Sequence, residues 1–423
     1  MKELRELFEE AVDSAPPSRL VADEVYAAGR RRRRRRTVTN CAFAVALVLA
    51  AGTVVASMVR QEPSVSGDMR IYQKQSLPGV LPHPGERINW ARAADARHLY
   101  LMMSTQCPSK PCAKDLMQLV GSDDGGRTWS DRGGPMNVAS FAVLGPGRLL
   151  AAVLPEPPDA GGSTLQVSTD GGRIWHKVLR ASAVEGVSTG STAVCWPESD
   201  KVTEPCTVHA LDPVSHRIAR LANQPPVTQG EGLSIAQSAG RLWASGVDPA
   251  TGWPAVAMSR DAGRSWVTKV FADAPACPPE GCPAPSLATD VGPTGYAVID
   301  GARRRAVYRY VENGGQAGGG WHRVPGVDNV PADPDGSPSF VTSDGTHVLS
   351  EVLPQRGQNV DGYRWWAARS DGVYQPVELA GLPATVHSVR RTLDGWYYTH
   401  SYTDGVLYGS TDGWQWSPVA RGS

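Results

Sequence analysis

The chain has 423 residues, and its 42 basic and 42 acidic side chains give a formal net charge of zero. Charged residues make up 20% and hydrophobic residues 41% of the sequence, which excludes a disordered tail and a coiled coil. The 45 glycines and 34 prolines argue against long helices, and the neutral balance gives no reason to expect a nucleic-acid partner.

A basic segment followed by an uncharged one predicts a membrane anchor near the N-terminus. Seven consecutive arginines, Arg30 to Arg36, precede residues 38–59, which carry no charge. As a helix this segment spans about 33 Å, enough to cross a hydrocarbon core of ~30 Å. Because basic flanks stay cytoplasmic, we expect a single-pass plasma-membrane protein whose C-terminal domain is extracellular. A cleaved signal peptide is disfavoured, since Val54-Val55-Ala56 is a poor cleavage site.

Three further segments follow from this anchor. Residues 1–37 place apolar side chains on one helical face and predict a short helical cytoplasmic arm. The arm either docks onto a partner or lipid, or serves only as a topology signal. Residues 60–84 are Pro-rich and predict a stalk, which leaves residues 85–423 for the extracellular domain.

Six cysteines beyond the anchor fall into three close pairs, which is typical of disulfides formed in an oxidising compartment. Cys41 lies within the anchor. No histidine cluster accompanies the pairs, so a metal site is disfavoured, and no cofactor motif occurs. The pairs are Cys107/Cys112, Cys195/Cys206 and Cys277/Cys282.

A short motif, S-x-D-x-G-x-x-W, recurs along the domain and is called the box here. In each box the Ser and Asp side chains can bond the backbone of their own loop, and the Gly allows a positive φ. The Asp is therefore expected to be structural. Three complete boxes and a fourth that is one residue short contain Ser122, Asp124, Gly126, Trp129; Ser168, Asp170, Gly172, Trp175; Ser259, Asp261, Gly263, Trp266; and Ser410, Asp412, Trp416.

These boxes resemble the Asp-box (BNR) repeats of sialidase-like β-propellers. Degenerate boxes near residues 212, 313 and 371 bring the number of units to seven, at about 48 residues each, the size of a four-stranded blade. We therefore predict an all-β fold, a seven-bladed β-propeller of four-stranded blades, with each box between the third and fourth strands. The segment Met69–Tyr72 is a candidate strand for closing the ring on the last blade.

Propeller ligands usually bind at the face that carries the second-to-third-strand and blade-to-blade loops. We place all three cysteine pairs on that face, Cys195/Cys206 between the second and third strands of blade 3. They indicate either a preorganised binding rim or protection of long loops. A solvated loop is the alternative for the other candidates on this face, which are Trp253, Arg303, Arg304, Arg305, Arg356, Asp361 and Tyr402.

Only some of the features that a sialidase active site requires are found in this sequence. Sialidases carry an Arg-Ile-Pro motif on the first inner strand, whereas this chain has Arg87-Ile88-Asn89 there. Sialidases have six blades, and no Tyr–Glu nucleophile pair can be assigned from the sequence. We therefore expect no catalytic residue and predict a membrane-anchored, non-catalytic binding or scaffolding propeller with a glycan or protein ligand. The alternative is a sialidase-like glycoside hydrolase that uses Arg87.

Overall fold

The computed structural model describes residues 79–83, 86–104, 116–155, 162–199, 204–229, 233, 235–278, 281–312, 319–327, 330–332, 338–353, 362–369, 372–386, 388–401 and 405–421. All belong to the second of two compact units, Met1–Gln75 and Ser76–Ser423. Within these ranges no helix is long and apolar enough to cross a bilayer. The predicted arm (1–37), anchor (38–59) and Met69–Tyr72 lie outside them.

The described residues form seven β-sheets, numbered here as blades in chain order. Blade 1 contains β2 (Ile88–Ala93), β3 (Leu99–Ser104), β4 (Met117–Ser122) and β5 (Ser130–Asp131). Blade 2 contains β6 (Val138–Gly145), β7 (Arg148–Val153), β8 (Thr164–Ser168) and β9 (His176–Lys177). Blade 3 contains β10 (Leu179–Val184), β11 (Thr192–Trp196), β12 (Thr207–Asp212) and β13 (Arg217–Leu221).

Of the remaining four blades, blade 4 has five strands, because two short strands pair one after the other with the same partner strand, and blades 5, 6 and 7 have four each in chain order. Blade 4 contains β14 (Thr228–Gln229), β15 (Ala236–Ser238), β16 (Arg241–Val247), β17 (Pro254–Ser259) and β18 (Val267–Val270). Blade 5 contains β19 (Ser286–Thr289), β20 (Gly295–Asp300), β21 (Arg305–Val311) and β22 (Gly320–Arg323). Blade 6 contains β23 (Ser339–Val341), β24 (His347–Val352), β25 (Tyr363–Ala368) and β26 (Gln375–Val377). Blade 7 contains β27 (Arg390–Arg391), β28 (Tyr397–Ser401), β29 (Val406–Ser410) and β30 (Ser417–Arg421).

Apolar clusters fill the junctions between neighbouring blades and close the ring. Each of seven clusters draws buried side chains from two adjacent blades. The closing junction packs Leu99 and Val120 of blade 1 with Tyr398 and Leu407 of blade 7. A single sheet would expose apolar side chains on both of its faces to water, so stacking the sheets around the ring stabilises them by burying these side chains. The fold is therefore the predicted all-β, seven-bladed propeller.

The two ends of the strands define two faces. We call the side with the first-to-second and third-to-fourth strand turns the turn face. The opposite side, with the second-to-third and blade-to-blade connections, is the loop face. The complete boxes join the third and fourth strands of blades 1, 2 and 4, and the shortened box does so in blade 7, so all four lie on the turn face.

Blade 3 departs from the predicted plan. Its outermost strand is β10, which precedes the other three strands in the chain and pairs in parallel with β13. Strands β11, β12 and β13 therefore each lie one position closer to the ring centre than predicted. Cys195, on β11, is consequently on the innermost strand and not on the second. The degenerate box at Asp212 then joins β12 to β13, where the Asp212 carboxylate accepts hydrogen bonds from the N–H groups of Val214 and Ser215.

The ring is extended at its seam by a short N-terminal strand. Strand β1 (Gly79–Val80) pairs in parallel with β30 and forms a fifth strand on blade 7. This strand, and not Met69–Tyr72, is the added strand that the described residues contain, and it begins within the segment predicted as a stalk. Gly79 is required there, because a Cβ atom would lie 1.9 Å from the Gly126 carbonyl oxygen of the first box.

Candidate functional site

A central cavity of about 740 Å³ runs between the innermost strands of the seven blades. Its wall includes Ser245 and Pro285 toward the loop face and Arg391 and Thr392 toward the turn face. The cavity therefore spans the ring, and a ligand in it contacts several blades at once. Central, multi-element cavities of this size are typical small-molecule or chain-segment sites.

Three arginines give the cavity wall a basic character near the turn face. Arg92 is near the end of β2, and Arg390 and Arg391 form β27. Arg391 donates from Nη1 to the Thr289 carbonyl oxygen on blade 5 at 2.9 Å, and its guanidinium lies 5.7 Å from the Tyr397 ring centroid. Arg390 is exposed to the cavity. Sequence reasoning missed this group, although the Arg390–Arg391 pair directly precedes a Thr-x-Asp-Gly turn.

No aspartate or glutamate occurs among the described residues that line this cavity. The other polar groups include Gln229 and Gln237, and Gln237 donates to the Ala193 carbonyl oxygen at 3.3 Å. Asp394 lies beyond the wall in the adjoining turn and accepts a hydrogen bond from the Thr392 hydroxyl. The described wall thus offers guanidinium and amide groups for binding, and no carboxyl pair for acid–base chemistry.

Three of the predicted loop-face residues lie in short turns of blades 4 and 5. Trp253 is half-buried in the turn between β16 and β17, where its carbonyl oxygen accepts from the Asp248 N–H at 2.8 Å. Arg303 and Arg304 are exposed in the turn between β20 and β21. Arg356, Asp361 and Tyr402 lie outside the described residues.

Arg305 is predicted as a ligand-face candidate beside Arg303 and Arg304, but the structure buries it at a blade junction. Its side chain is buried, and its Nε donates to Asp300 Oδ1 at 2.6 Å. Its Nη1 also donates to the Ser350 carbonyl oxygen of blade 6 at 3.1 Å. Arg305 begins β21, and its side chain points into the junction between blades 5 and 6. There Asp300 and the Ser350 carbonyl oxygen supply the hydrogen-bond acceptors that a buried guanidinium requires. It is a structural residue.

Two of the three predicted disulfides are present. Cys277–Cys282 lies in the connection between blades 4 and 5, and the carbonyl oxygen of Ala276, directly before Cys277, accepts from the Ala302 N–H at 3.0 Å. The loop ends at Pro285, whose carbonyl oxygen accepts a hydrogen bond from the Ser245 hydroxyl in the cavity wall. The connection that contains this disulfide therefore contacts the Arg303–Arg304 turn near its start and the cavity wall at its end.

The second disulfide, Cys195–Cys206, joins the first two strands of blade 3. Cys206 directly precedes β12, and the other end of β12 leads through the Asp212 turn to His216. The His216 ring stacks at 4.1 Å on the ring of His176, which directly follows the second box on the turn face. Cys206 is therefore at the loop-face end of the strand, as predicted. Cys107 and Cys112 lie outside the described residues.

Arg87, the residue of the hydrolase alternative, is exposed immediately before β2. Its carbonyl oxygen accepts from the Ser104 N–H at 3.0 Å. It lies at the loop-face end of the first inner strand, the position that the sialidase resemblance implies.

In every box the aspartate accepts hydrogen bonds from its own loop, and in Asp124 and Asp261 both carboxylate oxygens do so. Asp124 Oδ1 accepts from the Ser122 hydroxyl at 2.8 Å and the Thr128 N–H at 2.9 Å, and Oδ2 accepts from the Thr128 hydroxyl at 2.7 Å. Hydrogen bonds to Thr128 lower the pKa of Asp124 to about 2, and those to Ser265 lower the pKa of Asp261 to about 2. These carboxylates fold turns and are not free for chemistry.

A buried aromatic cluster between blades 5 and 6 had no sequence signal. His347 is fully buried, and its Nδ1 lies 2.7 Å from the Tyr374 hydroxyl. The Tyr296 ring stacks on the imidazole at 4.1 Å. Burial lowers the pKa of His347 to about 3, with Arg305 adding to this effect, so the imidazole is neutral. The cluster is enclosed and does not line the cavity.

No group of three or more His, Cys, Asp or Glu side chains that could hold a metal ion occurs among the described residues. The candidate site is therefore the central cavity, with its arginine wall and the adjoining loop face of blades 4 and 5.

No protein-family model matches the chain, and no curated protein matches it. Solved structures similar to it include YCF48 bound to D1 peptide (14% identity, 81% of this chain and 86% of that chain, TM-score 0.32). Another is the β-propeller domain of the Trilobed protease from Pyrococcus furiosus (9%, 80% and 96%, TM-score 0.46). A third is the α-L-arabinofuranosidase Arb93A from Fusarium graminearum (12%, 77% and 88%, TM-score 0.38). At these identities and scores, the functions named for those proteins are not transferred to this chain.

Proposed function

We propose that this chain is a non-catalytic binding propeller, anchored in the plasma membrane with the ring outside the cell. Its ligand is a glycan or a protein that carries negative charge. The membrane anchor rests on the sequence alone, namely the arginine run and the uncharged segment 38–59. The binding role rests on the central cavity.

The observation that supports binding over hydrolysis is the composition of the cavity wall. Glycoside hydrolysis normally uses two carboxyl groups placed on either side of one bond. The described wall instead contains Arg92, Arg390 and Arg391 together with two glutamines. A guanidinium group presents a planar set of donors that matches carboxylate, sulfate or phosphate oxygens. A ligand with anionic groups, entering from the loop face, would meet these donors at the base of the cavity.

A sialidase-like hydrolase remains the alternative, favoured by the position of Arg87 at the head of the first inner strand. The two functions are separated by incubating the full chain with fluorogenic sialosides and other aryl glycosides. Binding is measured in parallel on an array of neutral and acidic glycans. We expect retention on acidic glycans and no release of fluorophore. Fluorophore release that Arg87→Ala abolishes would establish the hydrolase and refute the proposal.

A further inference from the structure

The buried side chain of Arg132 carries hydrogen-bond donors that no described group accepts. Arg132 directly follows β5 in blade 1 and is 2% exposed. Its Nη2 donates to Asp123 Oδ2 at 2.7 Å, whereas its Nε and Nη1 are buried and have no hydrogen-bond partner among the described residues. Because leaving a buried donor unpaired is destabilising, this guanidinium indicates that an acceptor from outside the chain binds beside it.

Two more donors approach the same place, at the junction of blades 1 and 2. The point that a Cβ atom on Gly171 would occupy lies 3.8 Å from Arg132 Nη1. The same point lies 3.7 Å from the Tyr100 hydroxyl oxygen and 3.3 Å from Arg173 Nη1. We call the space bounded by these three side chains the Gly171 pocket. The Arg173 side chain is 52% exposed, so the pocket can be reached from solvent.

The side chains around the Gly171 pocket can donate hydrogen bonds but not accept them. The Tyr100 oxygen already accepts from the Gly147 N–H at 3.1 Å, so the phenol hydrogen can be donated. Arg173 Nη1 donates one hydrogen to the Asp170 carbonyl oxygen at 2.5 Å and has a second. A water molecule among these groups would find no acceptor for its own hydrogens, whereas an anion requires donors only.

The carboxylates near the pocket are already engaged. Asp123 Oδ2 accepts from Arg132 at 2.7 Å and from Arg173 at 3.1 Å, so two guanidinium groups share one carboxylate. The Asp170 carboxylate is turned into its own loop, where it accepts from the Arg173 N–H at 3.0 Å. Asp95 likewise accepts from backbone N–H groups of its own turn. One positive charge of the Arg132–Asp123–Arg173 group is therefore uncompensated within that group.

We propose that the Gly171 pocket binds one small monovalent anion, chloride in ordinary saline solution, held by Arg132, Arg173 and Tyr100. Charge-assisted hydrogen bonds from the two guanidinium groups supply most of the affinity, and the phenol supplies a further bond. A polyatomic oxyanion is too large, because the three donors lie within 4 Å of a point beside the Gly171 backbone. The ion links blade 1 to the box of blade 2, and because only the folded chain forms the pocket, it stabilises this junction.

The box of blade 4 provides a matched control within the same chain. Arg264 has the position in that box that Arg173 has in the box of blade 2. Its Nη1 likewise donates to the carbonyl oxygen of the box aspartate, Asp261, at 3.0 Å. Exposed box arginines of this kind are therefore common to both sites.

The box of blade 4 lacks the buried arginine. Gly133, which follows Arg132, lies beside the box of blade 2, since a Cβ on it would be 3.1 Å from the Gly172 carbonyl oxygen. Asn223 has the corresponding place beside the box of blade 4, where it donates to the Arg264 carbonyl oxygen at 2.7 Å. The residue before Asn223 is Ala222, so no anion is expected there.

The test measures the width of the chloride NMR line with the full chain in nonionic detergent. Sodium chloride replaces sodium gluconate at constant ionic strength, and sodium bromide serves as the competitor. We expect saturable broadening that bromide reverses. Arg132→Met should weaken chloride binding by at least about tenfold, because it removes the buried donors. Arg264→Met should bind chloride as the natural protein does.

Arg173→Met keeps the test decisive if Arg132→Met does not fold, since Arg173 is half-exposed and its loss leaves the Arg132–Asp123 pair intact. We expect Arg173→Met to weaken chloride binding by at least about threefold relative to Arg264→Met. Absence of saturable broadening in the natural protein, or equal broadening in these two variants, would overturn the proposal. Broadening that Arg390→Glu abolishes and Arg173→Met leaves intact would assign the ion to the central cavity and also overturn it.

Discussion

The buried imidazole of His347 predicts a specific acid dependence of stability. Its pKa is about 3 in the folded protein, because the side chain is fully buried, against 6.5 for an unperturbed histidine. Between these values the unfolded chain binds a proton that the folded chain does not. The contribution to stability is complete above pH 6.5 and declines as the pH falls toward 3.

The size of this effect follows from the difference between the two pKa values. From pH 7 to pH 4.5, His347 alone should lower the free energy of unfolding by about 2.5 kcal/mol. His209 acts in the same direction, because burial lowers its pKa too. The variant His347→Gln removes only the first contribution. It should itself be less stable at pH 7 by about 1–3 kcal/mol, since it loses the Tyr374 hydrogen bond and the Tyr296 stack.

Urea unfolding at pH 7, 5.5 and 4.5 with the disulfides intact measures this dependence. In His347→Gln the loss of stability between pH 7 and pH 4.5 should shrink by about 2.5 kcal/mol. His322 is exposed, so His322→Gln should keep the full pH dependence of the natural protein. If His347→Gln and His322→Gln show the same pH dependence, then His347 is not buried and neutral as the structure has it.

Three further substitutions test the ring, a buried ion pair and a box. Gly79→Ala places a Cβ against the Gly126 carbonyl oxygen and should release β1, so limited proteolysis near residue 79 should become faster. In the control Gly134→Ala the new Cβ has nothing within 4 Å, and the cleavage rate should not change. Equal cleavage of the two variants would show that β1 is not paired with β30. Arg305→Met leaves Asp300 buried without its partner and should cost about 3–5 kcal/mol in urea unfolding, while exposed Arg304→Met should have no effect. A small effect of Arg305→Met would mean that the pair is hydrated. Asp261→Ala removes the hydrogen-bond acceptor of Ser259 and Ser265 and should lower the free energy of unfolding by about 1–3 kcal/mol, measured by thermal unfolding. An unchanged midpoint temperature would mean that this box is dispensable for stability.

The features predictable from the sequence are those encoded within a few consecutive residues. The box around Asp124 is specified by its own Ser, Gly and Trp, so its repetition predicts both the blade count and the strand order of most blades. Similarly, Cys277 and Cys282 are close enough in sequence to pair by proximity. Local hydrogen bonding and short loop closure require no knowledge of distant parts of the chain.

The features that were missed depend on contacts between distant segments. Strand β10 replaces the outer strand of blade 3 by a parallel pairing that no local pattern encodes. Arg305 looks like a member of an exposed run, yet β21 turns it toward Asp300 and Ser350. Arg390 becomes part of the cavity wall because inner strands from seven blades converge there, which only the closed ring determines.

Direct titration of an anionic ligand into the natural protein and two charge-reversal variants tests the binding role of the cavity. The ligand is an acidic oligosaccharide retained on the array, titrated calorimetrically at low and high salt. Arg390→Glu reverses a charge in the cavity wall, and Arg217→Glu does so at an exposed site on blade 3. We predict that Arg390→Glu weakens binding by at least about tenfold, or 1.4 kcal/mol, and that Arg217→Glu leaves it unchanged. Equal affinity of the natural protein and Arg390→Glu would contradict a binding site in the central cavity.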